Sequence, residues 1–203
     1  MTSDFFEQRR PHEGFTYDDY FRLMVEQAKQ DTAGLSPEDA DRVAYTKLNL
    51  QRSDRIGRTY QVRPTLKEAL HHLETPQLWM VLTEPWCGDS AQCLPYLAGM
   101  AQINPDVELR ILLRDQNLDI MDQYLTGPSR SIPKLVAFRS TGEEIFQWGP
   151  RPAEAQKVFE HAKAEGLEKP KLLERLHLWY GRDRGKAIED EFETILSRPA
   201  AAT

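Results

Sequence analysis

The run Leu78-Trp79-Met80-Val81-Leu82-Thr83 lies between Pro76 and Pro85 and passes directly into Glu84-Pro85-Trp86-Cys87-Gly88-Asp89-Ser90-Ala91-Gln92-Cys93. An apolar run this short, bounded by prolines, reads as a buried central strand. The stretch after it opens a helical pattern and holds both cysteines of the chain. A strand feeding a helix fixes an α/β junction, and it sets Cys87 where free helix N–H groups and the macrodipole favour a thiolate over a thiol. Free cysteine is also a common small buried hydrophobe. Trp86 and Gly88 beside Cys87 favour the redox reading of the junction.

Around that junction the remaining elements follow from periodicity. Tyr17, Tyr20, Phe21, Met24, Val25 and Ala28 recur at threes and fours, giving a helix over residues 15–30. Ser36-Pro37-Glu38-Asp39 is a helix start, with Ser36 as N-cap and Pro37 at the first helical position. That helix is expected to reach about residue 49 and to form a helical hairpin with the one before it. Residues 51–63 carry Arg52, Arg55, Arg58 and Arg63. They read as a solvated linker with a short edge strand at 59–62 rather than as an anion-binding patch. Thr65 is expected to cap a helix through residue 73.

Pro95 falls inside the helical pattern of residues 91–102 and bends it. Residues 107–113 and 134–138 read as further strands, 118–125 as a short helix, and Thr141-Gly142 as the turn into a hairpin strand at 144–148. Pro152 opens a helix to about residue 164, and helices follow at 171–180 and 186–196, before a tail at 198–203 expected to be disordered. This order predicts an α/β fold, a mixed central sheet covered by helices, with additional helices at both ends.

The 203 residues carry a formal net charge of -6, which argues against a nucleic-acid surface. No signal-peptide core and no span-length apolar stretch is visible, so a cytoplasmic protein without a membrane partner is expected. Two cysteines cannot build a disulfide framework. The five histidines, His12, His71, His72, His161 and His177, share no metal-ligand spacing with them and read as surface or packing residues. No metal or other cofactor is expected.

From about residue 65 to 163 the chain resembles the thioredoxin family. Trp86-Cys87-Gly88 resembles the opening of the thioredoxin active site, and Pro95 stands where that family bends its active-site helix. Ser131-Ile132-Pro133 resembles the segment whose proline is cis and faces the reactive cysteine, and Arg130 and Gly149 also fall at familiar positions. Residues 115–125, 148–152 and 179–183 resemble a bacterial thioredoxin-like subfamily with helical extensions at both ends. The implied division is an N-terminal helical extension at 1–58, a thioredoxin-like domain at 59–165, and a C-terminal helical extension and tail at 166–203.

One departure stands out. Thioredoxins use Cys-x-x-Cys, whose second thiol resolves the mixed disulfide made by the first. Here the motif is Cys-Gly-Asp-Ser, with Ser90 at the resolving position and Val81 where thioredoxins keep a buried acid. Cys93 is the remaining candidate partner, but six residues of helix rise about 9 Å, and a disulfide needs Cα atoms within about 7 Å. Cys93 therefore reads as a buried packing residue. A peroxiredoxin resemblance fails on its own signature, because Glu84 and Met80 stand where that signature needs threonine and proline.

The resemblance implies a thiol-disulfide exchange protein serving cell redox homeostasis. Cys87 would be the single nucleophile, with Ser90 bonded to its sulfur and Cys93 as the other thiol. Trp86, Gly88, Arg130, Ile132 and Pro133 would form the substrate groove, and Arg130 would favour the thiolate against Asp89 and Glu84. Partners would be protein thiols or disulfides, or glutathione. The alternative is a catalytically inactive thioredoxin-fold binding module. A monothiol carrier holding an iron–sulfur cluster between Cys87 and glutathione is a weaker third reading.

Overall fold

The computed structural model describes residues 4–197. Its sheet has the order β2-β1-β3-β4, from β1 (Gln77–Thr83), β2 (Val107–Leu113), β3 (Lys134–Arg139) and β4 (Glu144–Trp148). β1 and β2 are parallel, with Gln77 opposite Val107 and Thr83 opposite Leu113; β3 runs antiparallel to β1, and β4 antiparallel to β3. β1 is buried along its whole length, as a central strand covered on both faces must be. The helices are α1 (Asp4–Glu7), α2 (Tyr17–Ala28), α3 (Pro37–Thr59), α4 (Pro64–His71), α5 (Gly88–Ala101), α6 (Leu118–Met121), α7 (Ala153–Ala164), α8 (Lys169–Asp183) and α9 (Lys186–Leu196). The α/β class, the mixed sheet and the terminal helices are those expected.

Alternation along β1 divides the core. Trp79 and Val81 face a cluster that takes in Tyr20 and Met24 of α2, Ile56 of α3, Leu66 and Leu70 of α4, Leu176 and Tyr180 of α8, and Ile188 and Phe192 of α9. Leu78, Met80 and Leu82 face the other, closed by Phe5 and Phe6 of α1 with Ile120, Met121 and Tyr124. Tyr180 and Phe192 are thus core residues of their own chain.

Three expectations need correction. Residues 51–59 are not a linker: α3 is one helix of 23 residues, ending at Thr59, and no strand forms at 59–62. Its buried stripe, Val43, Thr46, Asn49, Ser53 and Ile56, has correct helical spacing but is polar in the middle, so the hydrophobic period fades where the helix continues. Thr65 does not cap α4; Arg63 holds that position, Pro64 starts the helix, and the Thr65 hydroxyl bonds to Glu193 of α9. The helix expected over 118–125 ends at Met121. By contrast, Ser36 caps α3 as its sequence requires, its Oγ accepting from the Asp39 N–H at 3.1 Å. The tail at 198–203 lies outside the described residues. No helix among the described residues is long and apolar enough to cross a membrane.

Candidate functional site

β1 ends at Thr83, and Glu84, Pro85 and Trp86 carry the chain into α5, with Cys87 at its N-cap (φ -78°, ψ 117°). The Cys87 N–H donates to the Glu84 carbonyl at 3.0 Å, and its own carbonyl accepts the first helical bond, from Ala91 N at 3.1 Å. This geometry turns the sulfur toward β3, where the Cys87 thiol donates to the Ile132 carbonyl at 3.3 Å. The Ile132–Pro133 peptide is cis. Behind it Gly149, at φ +106°, has no room for a side chain: a Cβ there would lie 2.2 Å from the Pro133 carbonyl oxygen.

Cys87 is buried, with 8% of its surface exposed. Burial first, and the Asp89 charge second, push its thiol up to about 11 against hydrogen bonds from Ser90 and from the Asp89 and Ser90 N–H groups. Those N–H groups are the open end of α5, the feature that favours a thiolate; here desolvation outweighs them. Ser90 also accepts from Thr83 Oγ1 at 2.5 Å, within the buried floor of the site.

Trp86 forms the outer rim. Its ring lies under two guanidinium groups, Arg114 at 5.0 Å and Arg42 at 5.5 Å from the centroid. Glu84 points inward and accepts from the Asp115 N–H at 2.8 Å, and burial raises its carboxyl above the usual range. Arg130 does not turn to the thiol. It is exposed and forks onto Asp122 at 2.6 and 2.7 Å, while its carbonyl accepts from Arg114 Nη1 at 3.2 Å. Ile132 and Pro133 are buried against the site.

Cys93 lies elsewhere. It belongs to the core cluster on the Trp79 side, whereas Cys87 packs with Leu78 and Met80 on the other. Its thiol is fully buried, is pushed far above its ordinary range by burial, and donates to Tyr180 Oη at 3.7 Å. Both cysteines are free thiols.

Several neighbours escaped the sequence reading because they come from remote segments. Asp89 Oδ2 pairs with Arg151 at 2.5 Å, and its Oδ1 accepts from Tyr180 Oη at 2.7 Å, tying α5 to the β4–α7 loop and to α8. His177 of α8 packs on Gly88, where a Cβ would approach its ring to 3.0 Å. Gln92 donates to its Nδ1 at 3.2 Å, and burial lowers the imidazole to about 4, so the ring is neutral at pH 7. From α3, Asn49 donates to the Pro85 carbonyl at 3.0 Å and Ser53 to the Ala91 carbonyl at 3.4 Å. Only the spacing of Asn49, Ser53 and Ile56 on one helical face could have signalled these contacts. Among the described residues no cluster of three or more His, Cys, Asp or Glu side chains could hold a metal ion.

A cysteine at the N-cap of the helix after the central strand, facing a cis X–Pro bond at the head of an antiparallel strand, defines a thioredoxin-fold protein. The chain belongs to the thioredoxin family, whose family model matches residues 37–164. No curated protein matches it. Among solved structures it is similar to a protein of unknown function from Pseudomonas aeruginosa, at 17% identity and a TM-score of 0.57 over 90% of this chain and 97% of that one. It is also similar to an HIV epitope scaffold, at 18% identity and a TM-score of 0.54 over 90% of this chain and 98% of that one.

Proposed function

We propose that the protein is a cytoplasmic thiol redox protein in which Cys87 alone forms mixed disulfides with a protein partner or with glutathione. The observation that supports this most directly is the placement of the Cys87 sulfur at the mouth of α5, 3.3 Å from the Ile132 carbonyl and beside the Trp86 rim. In the reaction the Cys87 thiolate attacks one sulfur of the partner's disulfide. That S–S bond breaks as the new one forms, and the departing thiolate takes up the proton that Cys87 released. Ser90 cannot resolve the product, so a second, external thiolate attacks the sulfur carried on Cys87. It leaves as a disulfide with the group it removes and restores the Cys87 thiolate.

With the thiol at about 11, roughly one molecule in ten thousand carries a thiolate at neutral pH. The same burial favours a second reading, a binding module in which the Trp86, Ile132 and Pro133 surface receives a partner without chemistry.

Oxidation with glutathione disulfide at several pH values, followed by peptide mapping of wild type, Cys87→Ser and Cys93→Ser, separates the two. A glutathione adduct on Cys87, formed faster as pH rises toward 11 and absent in Cys87→Ser, is expected. A Cys87 that stays unmodified up to the alkaline limit of the native fold would leave the binding module.

A further inference from the structure

Beside the redox site, and on the side of α5 away from Ile132, α3 and α8 leave a groove. It consists of two cavities, of about 590 and 540 Å³, that share Arg55, Gln92 and Gly181 as walls. Gly181 keeps the groove open, since no side chain projects from α8 at that point. The first cavity is lined by Arg52, Arg55 and Arg182, and the second by Arg55 and Arg184.

Among the described residues none of these four arginines makes an ion pair, and the only other arginine there without one is Arg9. Arg58 and Arg63, nearby in sequence, are paired with Asp54 and with the acids of α9. In an acidic protein these arginines stand without a carboxylate partner among the described residues, although Glu189 lines the second cavity. Arg52 is the clearest case. It is half-buried, its one hydrogen bond goes to the neutral Asn49 side chain at 3.0 Å, and burial together with Arg55 lowers its proton affinity. A partly desolvated charge facing a like charge is costly until an anion joins them.

We propose that this groove binds a small phosphorylated molecule, its phosphate held by Arg52, Arg55 and Arg182. Three arginines lining one cavity offer more donors than the two oxygens of a carboxylate can engage, whereas a phosphate offers three or more acceptors. The cavities also exceed a bare phosphate and fall in the range of small-molecule sites. The groove is polar in direction. Glu189, which accepts from Tyr60 Oη and the Arg63 N–H, lies at its far end beside Tyr96 and repels a phosphate there. The anionic group therefore sits at the Arg52 and Arg182 end, and the organic portion lies toward Tyr60 and Tyr96. This site uses no atom of Cys87 and stands whether or not the thiol is reactive.

The test is calorimetric titration of the full chain, at low ionic strength, with pyrophosphate, adenosine diphosphate and tricarballylate. Binding of pyrophosphate and the nucleotide is expected, tighter for the nucleotide, with tricarballylate much weaker. Arg55→Gln/Arg182→Gln, which removes two exposed and unpaired side chains, should weaken phosphate binding by about tenfold or more. Arg52→Gln should do the same, and Arg58→Gln should leave binding unchanged. Failure of both phosphate compounds to bind, equal binding of tricarballylate, or unchanged affinity in the double variant would each overturn the proposal.

Discussion

At the scale of single residues, Cys87 is governed by an opposition between the open N-terminus of α5 and the burial that closes over it. Asp89 adds to the burial, and its partner Arg151 is held 2.5 Å away. Asp89→Asn should therefore lower the Cys87 pKa by about a unit and speed alkylation at neutral pH by about tenfold. The pH profile of iodoacetamide labelling, with Cys93→Ser as background, reads this directly; an unchanged profile would place the control in desolvation alone. Ser90→Cys restores the missing thiol one helical turn from Cys87. It should let glutathione disulfide drive loss of both thiols to an internal bond, which thiol titration of the variant would detect. The residues on either side of Cys87 were legible in the sequence because they are contiguous with it. Arg151, Tyr180 and His177 were not, because long-range contacts leave no spacing to read.

At the scale of elements, the four strands of the sheet were legible almost to the residue: β1 and β3 as apolar runs buried on both faces, β2 and β4 as mixed runs set off by turn residues. The terminal helices α2, α8 and α9 were legible as well, whereas the short α1 was not, and α9 shows why they matter. Phe192 is fully buried, with Trp79, Phe146 and Trp148 rings at 5.5 to 6.0 Å. Phe192→Ala should cost about 3–5 kcal/mol, measured by urea unfolding, with the first loss of protection in amide exchange on β4 and α9. What was not legible was α3 beyond residue 49. Asn49 and Ser53 point into the protein because they bind loop and helix backbone there, Thr46 is buried with its hydroxyl returned to the Arg42 carbonyl of its own helix, and a polar buried face looks like a solvated one when only hydropathy is read.

At the scale of the whole molecule, stability should fall on both sides of neutral pH. His177 has its folded value depressed to about 4 from 6.5. The unfolded chain therefore binds the proton first, and stability present above pH 6.5 is lost as pH falls toward 4. That range corresponds to roughly 3 kcal/mol. Cys87 works in the opposite direction. Its folded value is raised to about 11 from 9.0, so the stability it contributes is intact below pH 9 and is lost as pH rises toward 11. Denaturant midpoints across pH 4 to 11 should trace both limbs. His177→Phe should flatten the acid limb, and Cys87→Ser should reduce the alkaline one.

The contacts from α3 bear on something other than stability. The helix is about 34 Å long, and it grips the backbone on either side of Cys87, at Pro85 through Asn49 and at Ala91 through Ser53. Joining Cys87 to Cys93 would require the first turn of α5 to unwind, and that turn lies between the two grips. The long helix thus acts as an insulator between two thiols six positions apart. If Cys87 reacts as proposed, oxidation is expected to stop at its buried sulfur, and Cys93 should stay reduced for as long as the clamp holds.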